Sequence, residues 1–228
     1  MDHDLLAMTD QKPDRNEILH RASAGKPAVL RHCTLEEDDL SRLDMSGWTF
    51  DQCNLTNASF DGAILEDASF LACRAAKASF MGARLADVRI DGGDFSNTNF
   101  RRSTLTSAAI TRCKMMGANL TEAQTLGLEL EEVQLSLAIL PKFSFRKTTL
   151  KRIDFSEADL RLCDFRDTVF EDCSLRGANL VDCRFENADL RGADLGGIRL
   201  FDASLFKGAV ISRQQAGQLL EQLGLRVA

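Results

Sequence analysis

Seven cysteines and three histidines are the residues of this chain whose types could bind a metal or carry redox or nucleophilic chemistry. His3, His20 and His32 all lie toward the N-terminus, and none stands at ligand spacing from a cysteine or carboxylate cluster. No phosphate-binding loop, dinucleotide fingerprint or nucleophile elbow occurs. Asp and Glu number 34, but they recur at a fixed period, so neighbouring carboxylates are expected from the repeat alone. Arg101-Arg102, Arg146-Lys147 and Lys151-Arg152 are small basic spots that read as solvated surface. No catalytic residue, metal ligand or cofactor is assigned, and an enzyme is not expected.

The same period governs the cysteines. Large apolar residues fall on every fifth position from Leu30 to Val210 in one unbroken register, with only Ala75 and Thr125 as exceptions. Five is neither the period of a helix nor that of a strand. A short repeat held this long is the signature of a solenoid. Two residues before each apolar centre the side chain is small: Ala58, Ala78, Ala118, Ala158 and Ala188, for example. Cys33, Cys53, Cys73, Cys113, Cys163, Cys173 and Cys183 all occupy this slot, which makes them small inward hydrophobes. Stacked thiols come within range of a disulfide, but parallel side chains are poorly aimed at each other, so reduced, buried thiols are expected.

The residue two after each centre is often glycine, as at Gly47, Gly62, Gly82, Gly117 and Gly177, or asparagine, as at Asn57, Asn97 and Asn187. These residues tolerate positive φ, so each pentapeptide reads as a short extended segment and a tight turn. Four such bends close a square coil of twenty residues. Coils stacked at the strand spacing of ~4.8 Å bond to the coils above and below. Residues twenty apart then stack, which places Phe60, Phe80 and Phe100 in one column and Phe145, Phe165 and Phe185 in another. The expected fold is all-β: a right-handed quadrilateral β-helix of about nine coils over 28–212, a rod of roughly 45 Å at that spacing, with short helical caps at both ends.

The triplets Ala118-Asn119-Leu120, Ala158-Asp159-Leu160, Ala178-Asn179-Leu180, Ala188-Asp189-Leu190 and Ala193-Asp194-Leu195 resemble the pentapeptide-repeat family over about four-fifths of the chain. That resemblance implies the same right-handed quadrilateral β-helix. One branch of the family binds bacterial type II topoisomerases as dimers that imitate duplex DNA, and it includes the quinolone-resistance proteins.

Residues 1–27 form the N-terminal segment, with a short capping helix after Pro13. Leu43 and Trp48 put larger side chains in the small slot near this end. In the middle, Thr125 replaces a centre, Leu128, Val133 and Phe143 are large where small is expected, and Glu129, Glu131 and Glu132 cluster. Core volume compensation and an altered coil both account for this, and a loop of a multiple of five residues could hide within 121–145. After Val210 the period stops. Ser212 is a good N-cap for a helix over 213–223, and Gly224 a natural stop. Residues 213–228 are assigned as cap and dimerisation module, with Ala216, Leu219, Leu220, Leu223, Leu225 and Val227 at the junction. Their pattern resembles the helix-and-tail ending of the topoisomerase-binding branch.

A formal net charge of −6 without a basic cluster argues against direct nucleic-acid binding. No apolar run is long enough to span a membrane, and the first residues carry no apolar signal region, so a cytoplasmic location is expected. Charge spreads evenly over the four faces. Asp154, Glu157, Asp159, Asp164, Asp167, Glu171 and Asp172 thicken the C-terminal half and are the candidate acidic partner surface. Two functions follow. One is a homodimer that binds DNA gyrase or topoisomerase IV as a DNA mimic, as the resemblance implies. The other is a general protein-interaction scaffold, since a repeat sets fold rather than function.

Overall fold

The computed structural model describes residues 6–196 and 204–226. They form two compact units, residues 1–133 and 134–228. In the first, β1 (Leu6–Thr9), α1 (Arg15–Ser23), β2 (Ala28–Arg31), β3 (Thr49–Asp51), β4 (Ser69–Arg74), β5 (Arg89–Asp94), β6 (Ala109–Thr111) and β7 (Glu129–Glu131) follow in order. Each strand pairs in parallel with the next, and the register puts Leu30 beside Phe50, Phe50 beside Phe70, Phe70 beside Ile90 and Ile90 beside Ile110. The second unit contains β8 (Thr149–Lys151), β9 (Val169–Glu171), β10 (Cys173–Ser174), β11 (Ala193–Asp194) and α2 (Arg213–Glu221). Here Leu150 pairs with Phe170 and Cys173 with Ala193, again in parallel. The other sides carry single parallel bridges at the same spacing, such as Ser59 to Ser79 and Ile64 to Arg84, or Asp159 to Asn179 and Asp164 to Arg184.

The backbone accounts for its donors slot by slot. The centre Leu35 N–H donates to Asn54 O at 2.8 Å, and the corner Glu37 N–H to Thr56 O at 3.0 Å. Going the other way, Asn54 N–H donates to Cys33 O at 2.9 Å, while Ala58 N–H closes a turn on Leu55 O at 3.0 Å. The N–H just after the centre is left, and the polar residue just before the centre takes it. Asp39 accepts from Ser41 N–H at 3.0 Å, Asn119 from Thr121 N–H at 3.0 Å and Asp154 from Ser156 N–H at 2.9 Å. This side-chain turn gives the Asp or Asn of the repeat a structural job.

The corner is left-handed for residues of very different types. Lys77 has φ 61°, Leu137 59°, Leu162 65° and Asp167 58°. Glycine and asparagine at corners therefore mark a geometry that the coil imposes on other residue types as well, at a strain cost that closing the coil offsets, although the corner at Gly192 is not left-handed.

The centres fill the interior. Phe60 and Phe80 stack with centroids 4.8 Å apart and planes 3° apart, and Phe80 and Phe100 repeat this at 4.8 Å and 5°. Phe145–Phe165 and Phe165–Phe185 stack at 5.2 and 5.0 Å. Rings across a coil meet edge to face, Phe60 on Phe70 at 6.0 Å and 89°. Ala75 is fully buried, and Phe95, one coil on, reaches edge to face onto Phe70 at 6.2 Å, so a large ring lies next to the small centre.

Three features differ from the sequence reading. First, the N-terminal segment holds a strand as well as the expected helix. β1 pairs with β2, Met8 beside Leu30, and Met8, Ile18 and Ala22 are buried. The connection between β1 and β2 contains α1 and lengthens the spacing to 22 residues, which hid this coil from a search at period five.

Second, the register is not unbroken to Val210. Asp189 pairs with Val210, and Phe206, not Leu205, stands over Phe185 at 4.8 Å, so the last coil carries one residue more. Leu200 lies outside the described residues. The shift continues the aromatic column, whereas Val210 is left largely exposed.

Third, Ala123, Thr125, Leu128 and Leu130 are only half-buried and Leu126 is 81% exposed, while Val133 and Phe143 are buried. The irregular stretch nevertheless keeps its backbone pairing to the coil before it, Thr104 with Gln124 and Ile110 with Leu130, so the departure lies in its side chains. No helix among the described residues is long and apolar enough to cross a membrane.

Candidate functional site

At the C-terminal end Ser212 caps α2. Its hydroxyl accepts from Gln215 N–H at 3.2 Å, and Gln215 Oε1 accepts from Ser212 N–H at 2.6 Å. The N-cap role of Ser212 is as expected, and the reciprocal bond makes it a capping box. What the sequence did not show is where the rest of the amide goes. Gln215 Nε2 donates to Leu190 O and Ala193 O, both at 2.8 Å, and the residue is 7% exposed. The helix is thus pinned to the coil through a buried polar side chain. Ala216 and Leu219 are half-buried, while Leu220, Leu223 and Leu225 are exposed by 36%, 59% and 52%. Val227 lies outside the described residues. α2 ends at Glu221 with Gln222 as its C-cap, two residues short of the expected end at 223, and Gly224, at φ 74°, lies in the turn beyond it.

The candidate acidic surface is not gathered on one side. Asp154, Asp159 and Asp164 hold the slot before the centre on three successive sides of a coil, so they point in three directions. Glu157, Asp167 and Asp172 stand at left-handed corners. Most are engaged. Asp159 binds its own Arg161 through two contacts, Nε to Oδ1 at 2.8 Å and Nη2 to Oδ2 at 2.7 Å. Asp164 holds Arg166 in the same way at 2.8 and 2.5 Å, as Asp189 holds Arg191 at 2.9 and 2.5 Å. Asp167 meets Arg146 at 3.5 Å and accepts from Asn187, Glu171 faces Lys151 at 4.0 Å, and Asp154 accepts from Ser156. Asp-x-Arg is a local clamp, with Arg two residues after Asp across the centre.

These clamps set a pH dependence. Hydrogen bonds from Arg161, Arg166 and Arg191 hold the carboxyls of Asp159, Asp164 and Asp189 below the usual carboxylate range, against a smaller opposing effect of burial. A depressed folded pKa adds stability above the unfolded value of about 3.9, and that stability is lost as pH falls through the folded pKa. The melting temperature should therefore be flat near neutrality and fall below about pH 4. The triple substitution of Asp159, Asp164 and Asp189 by Asn should shrink that acid-limb slope. An unchanged slope in a thermal pH series would show the clamps contribute nothing.

All seven cysteines are free and buried. In six of them Sγ donates to the carbonyl 23 residues earlier: Cys53 to Leu30 at 3.3 Å, Cys73 to Phe50 at 3.2 Å, Cys113 to Ile90 at 3.7 Å, Cys163 to Leu140 at 3.3 Å, Cys173 to Leu150 at 3.4 Å and Cys183 to Leu160 at 2.9 Å. Burial pushes the thiols of Cys33, Cys113 and Cys173 up, Cys113 to about 12.

A four-cornered parallel coil, left-handed residues at its corners from His32 to Asn187, an interior of stacked centres and polar sides define a right-handed quadrilateral β-solenoid, of about nine turns in all. The sequence profile of pentapeptide repeats matches in eight copies across 49–87, 83–121, 129–167 and 168–205. The chain belongs to the pentapeptide-repeat family. Among solved structures it is similar to a trypsin-treated variant of QnrB1, a plasmid-mediated fluoroquinolone resistance protein, at 24% identity and a TM-score of 0.44, covering 98% of both chains. It is also similar to HetL, a pentapeptide-repeat protein involved in heterocyst differentiation regulation in the cyanobacterium Nostoc, at 20% identity and a TM-score of 0.35, covering 79% of this chain and 96% of that one. A third is Rfr23 from the cyanobacterium Cyanothece, at 20% identity and a TM-score of 0.41, covering 51% of this chain and 95% of that one. No curated protein sequence matches the chain significantly.

Proposed function

We propose that this chain is a non-enzymatic cytoplasmic protein that pairs as a homodimer through its C-terminal module and binds a type II topoisomerase, DNA gyrase or topoisomerase IV, in place of duplex DNA. It would modulate that enzyme or protect it from quinolones or toxins; neither nucleic acid nor membrane is a direct partner. Support comes from the C-terminal helix. Gln215 fixes α2 to the coil, yet Leu220, Leu223 and Leu225 remain exposed. A helix that served only as a cap needs one apolar face, and an isologous pair buries the remainder twice. The helix-and-tail sequence resembles the ending of the topoisomerase-binding branch.

Leu220→Glu with Leu223→Glu should give monomers by light scattering, keep the circular dichroism of the coil, and abolish any effect in a gyrase supercoiling and cleavage assay with and without a fluoroquinolone. A wild-type chain that is monomeric at tens of micromolar would sink the assembly. A wild-type dimer without effect on either topoisomerase would leave the assembly and remove the partner.

A second reading, a protein-interaction scaffold with no DNA imitation, is favoured by the Asp-x-Arg clamps. Duplex DNA presents one negative charge per ~1.7 Å, whereas Asp159, Asp164 and Asp189 are each covered by their own arginine.

A further inference from the structure

The buried thiols form columns. Cys33, Cys53 and Cys73 follow one another on successive coils in the first unit, and Cys163 and Cys183 do so in the second. Cys53, Cys73, Cys163 and Cys183 all make the same bond, to the carbonyl 23 residues earlier, so their side chains take the same orientation. Successive sulfurs are then displaced by one coil repeat. Stacked phenylalanines measure that repeat directly, at 4.8 Å for Phe50–Phe70 and 5.0 Å for Phe165–Phe185.

This separation is far beyond the S–S bond of about 2.05 Å. It matches a metal held end to end by two thiolates, since two metal–sulfur bonds of about 2.3 Å span about 4.6 Å. The donors lie on one line, and among the described residues no group of three or more His, Cys, Asp or Glu could hold a metal. A tetrahedral ion is therefore poorly served, and a cation content with two opposed sulfurs is well served. Charge narrows the choice. A monovalent cation between two thiolates leaves a net negative charge in a dry core, whereas a divalent one leaves none.

We propose that each thiol column, Cys33–Cys53–Cys73 and Cys163–Cys183, takes up one linearly coordinated divalent soft cation, with Hg(II) as the type, between neighbouring coils. Hg²⁺ and two Cys–SH give Cys–S–Hg–S–Cys and two protons. Two S–H bonds break, two S–Hg bonds form, the protons pass to the buffer and nothing is oxidised. Ions would enter by local opening of coils. Cys183 is 6% exposed.

The chain contains its own controls. Gly93 is the coil neighbour of Cys73 in the direction of Cys113, and Ala193 is the neighbour of Cys173, so Cys113 and Cys173 face no such thiol. The full-length folded chain is titrated with Hg(II) against an excess of glutathione and read by native mass spectrometry, proton release and circular dichroism. About two ions per chain and about four protons are expected, with the β signal kept. Cys53→Ala strands Cys33 and Cys73 two coils apart, about 9.6 Å, and should lower the count to one, as should Cys163→Ala. Cys113→Ala and Cys173→Ala should leave it at two. Alanine fills this slot in other coils, as at Ala58 and Ala78, so these variants should fold. A count that ignores Cys53, uptake that proceeds only with loss of the β signal, or equal uptake of Zn(II) would each overturn the proposal.

Discussion

Phe165→Asp is expected to remove the cooperative thermal transition of the C-terminal unit at neutral pH. Phe165 is fully buried and lies between Phe145 at 5.2 Å and Phe185 at 5.0 Å, with Phe170 at 5.5 Å on its flank. Truncating such a ring costs about 3–5 kcal/mol. A carboxylate left there without a partner adds several kcal/mol more. The sum rivals the ~5–15 kcal/mol that holds a typical domain folded. Phe165→Leu keeps an apolar side chain in the column and should melt cooperatively at a lower temperature. If the aspartate variant instead melted like wild type by circular dichroism, position 165 would not face the interior and the register of the repeat would be wrong.

Gly93→Ala is the second large effect. Most residues of the small slot are alanine or cysteine, so alanine there looks harmless from the sequence. At Gly93 it is not. φ is +98°, and a Cβ would stand 2.2 Å from the carbonyl oxygen and 2.8 Å from the nitrogen of Cys73. Both are backbone atoms, fixed by the pairing of Cys73 with Gly93 and Arg74 with Asp94 between β4 and β5. A shift of that ladder together with a disfavoured φ should cost about 3 kcal/mol or more, a drop of roughly 6–12 °C in melting temperature for a chain of this size. Gly82→Ala is the comparison. Its φ is +66°, but nothing lies within 4 Å of the added atom, so only the conformational penalty of about 1 kcal/mol applies. Equal losses for the two variants in a differential scanning measurement would mean that the close approach at Gly93 is absent.

Much of this molecule was legible because its order is one-dimensional. The centres repeat every fifth residue, coils therefore repeat every twentieth, and the stacked pairs Phe60–Phe80 and Phe145–Phe165 follow without further information. The inward place of the cysteines and the corner after each centre were readable for the same reason. Missed features lie where the period fails or says nothing. β1 joins the stack across a 22-residue interval that contains a helix. The last coil pairs at 21 residues, although apolar residues still fall at multiples of five, because counting residues does not reveal where the chain spends an extra one.

The sequence by itself determined the coil: which side chains face in, where the chain turns, and that its sides are polar. A periodic constraint repeated this many times leaves only one arrangement in which every centre is buried and every ladder N–H is paired. Tertiary structure alone decided what the sides and ends present to a partner. The acidic residues that suggested one surface are turned outward in different directions, and Asp159 and Asp164 are clamped by Arg161 and Arg166, because the Asp-x-Arg spacing permits a pair but only the side-chain conformations close it. At the C-terminal end the buried anchor is Gln215 rather than a leucine, since one amide there donates to two backbone carbonyls at once, those of Leu190 and Ala193. That choice leaves Leu220, Leu223 and Leu225 in solvent.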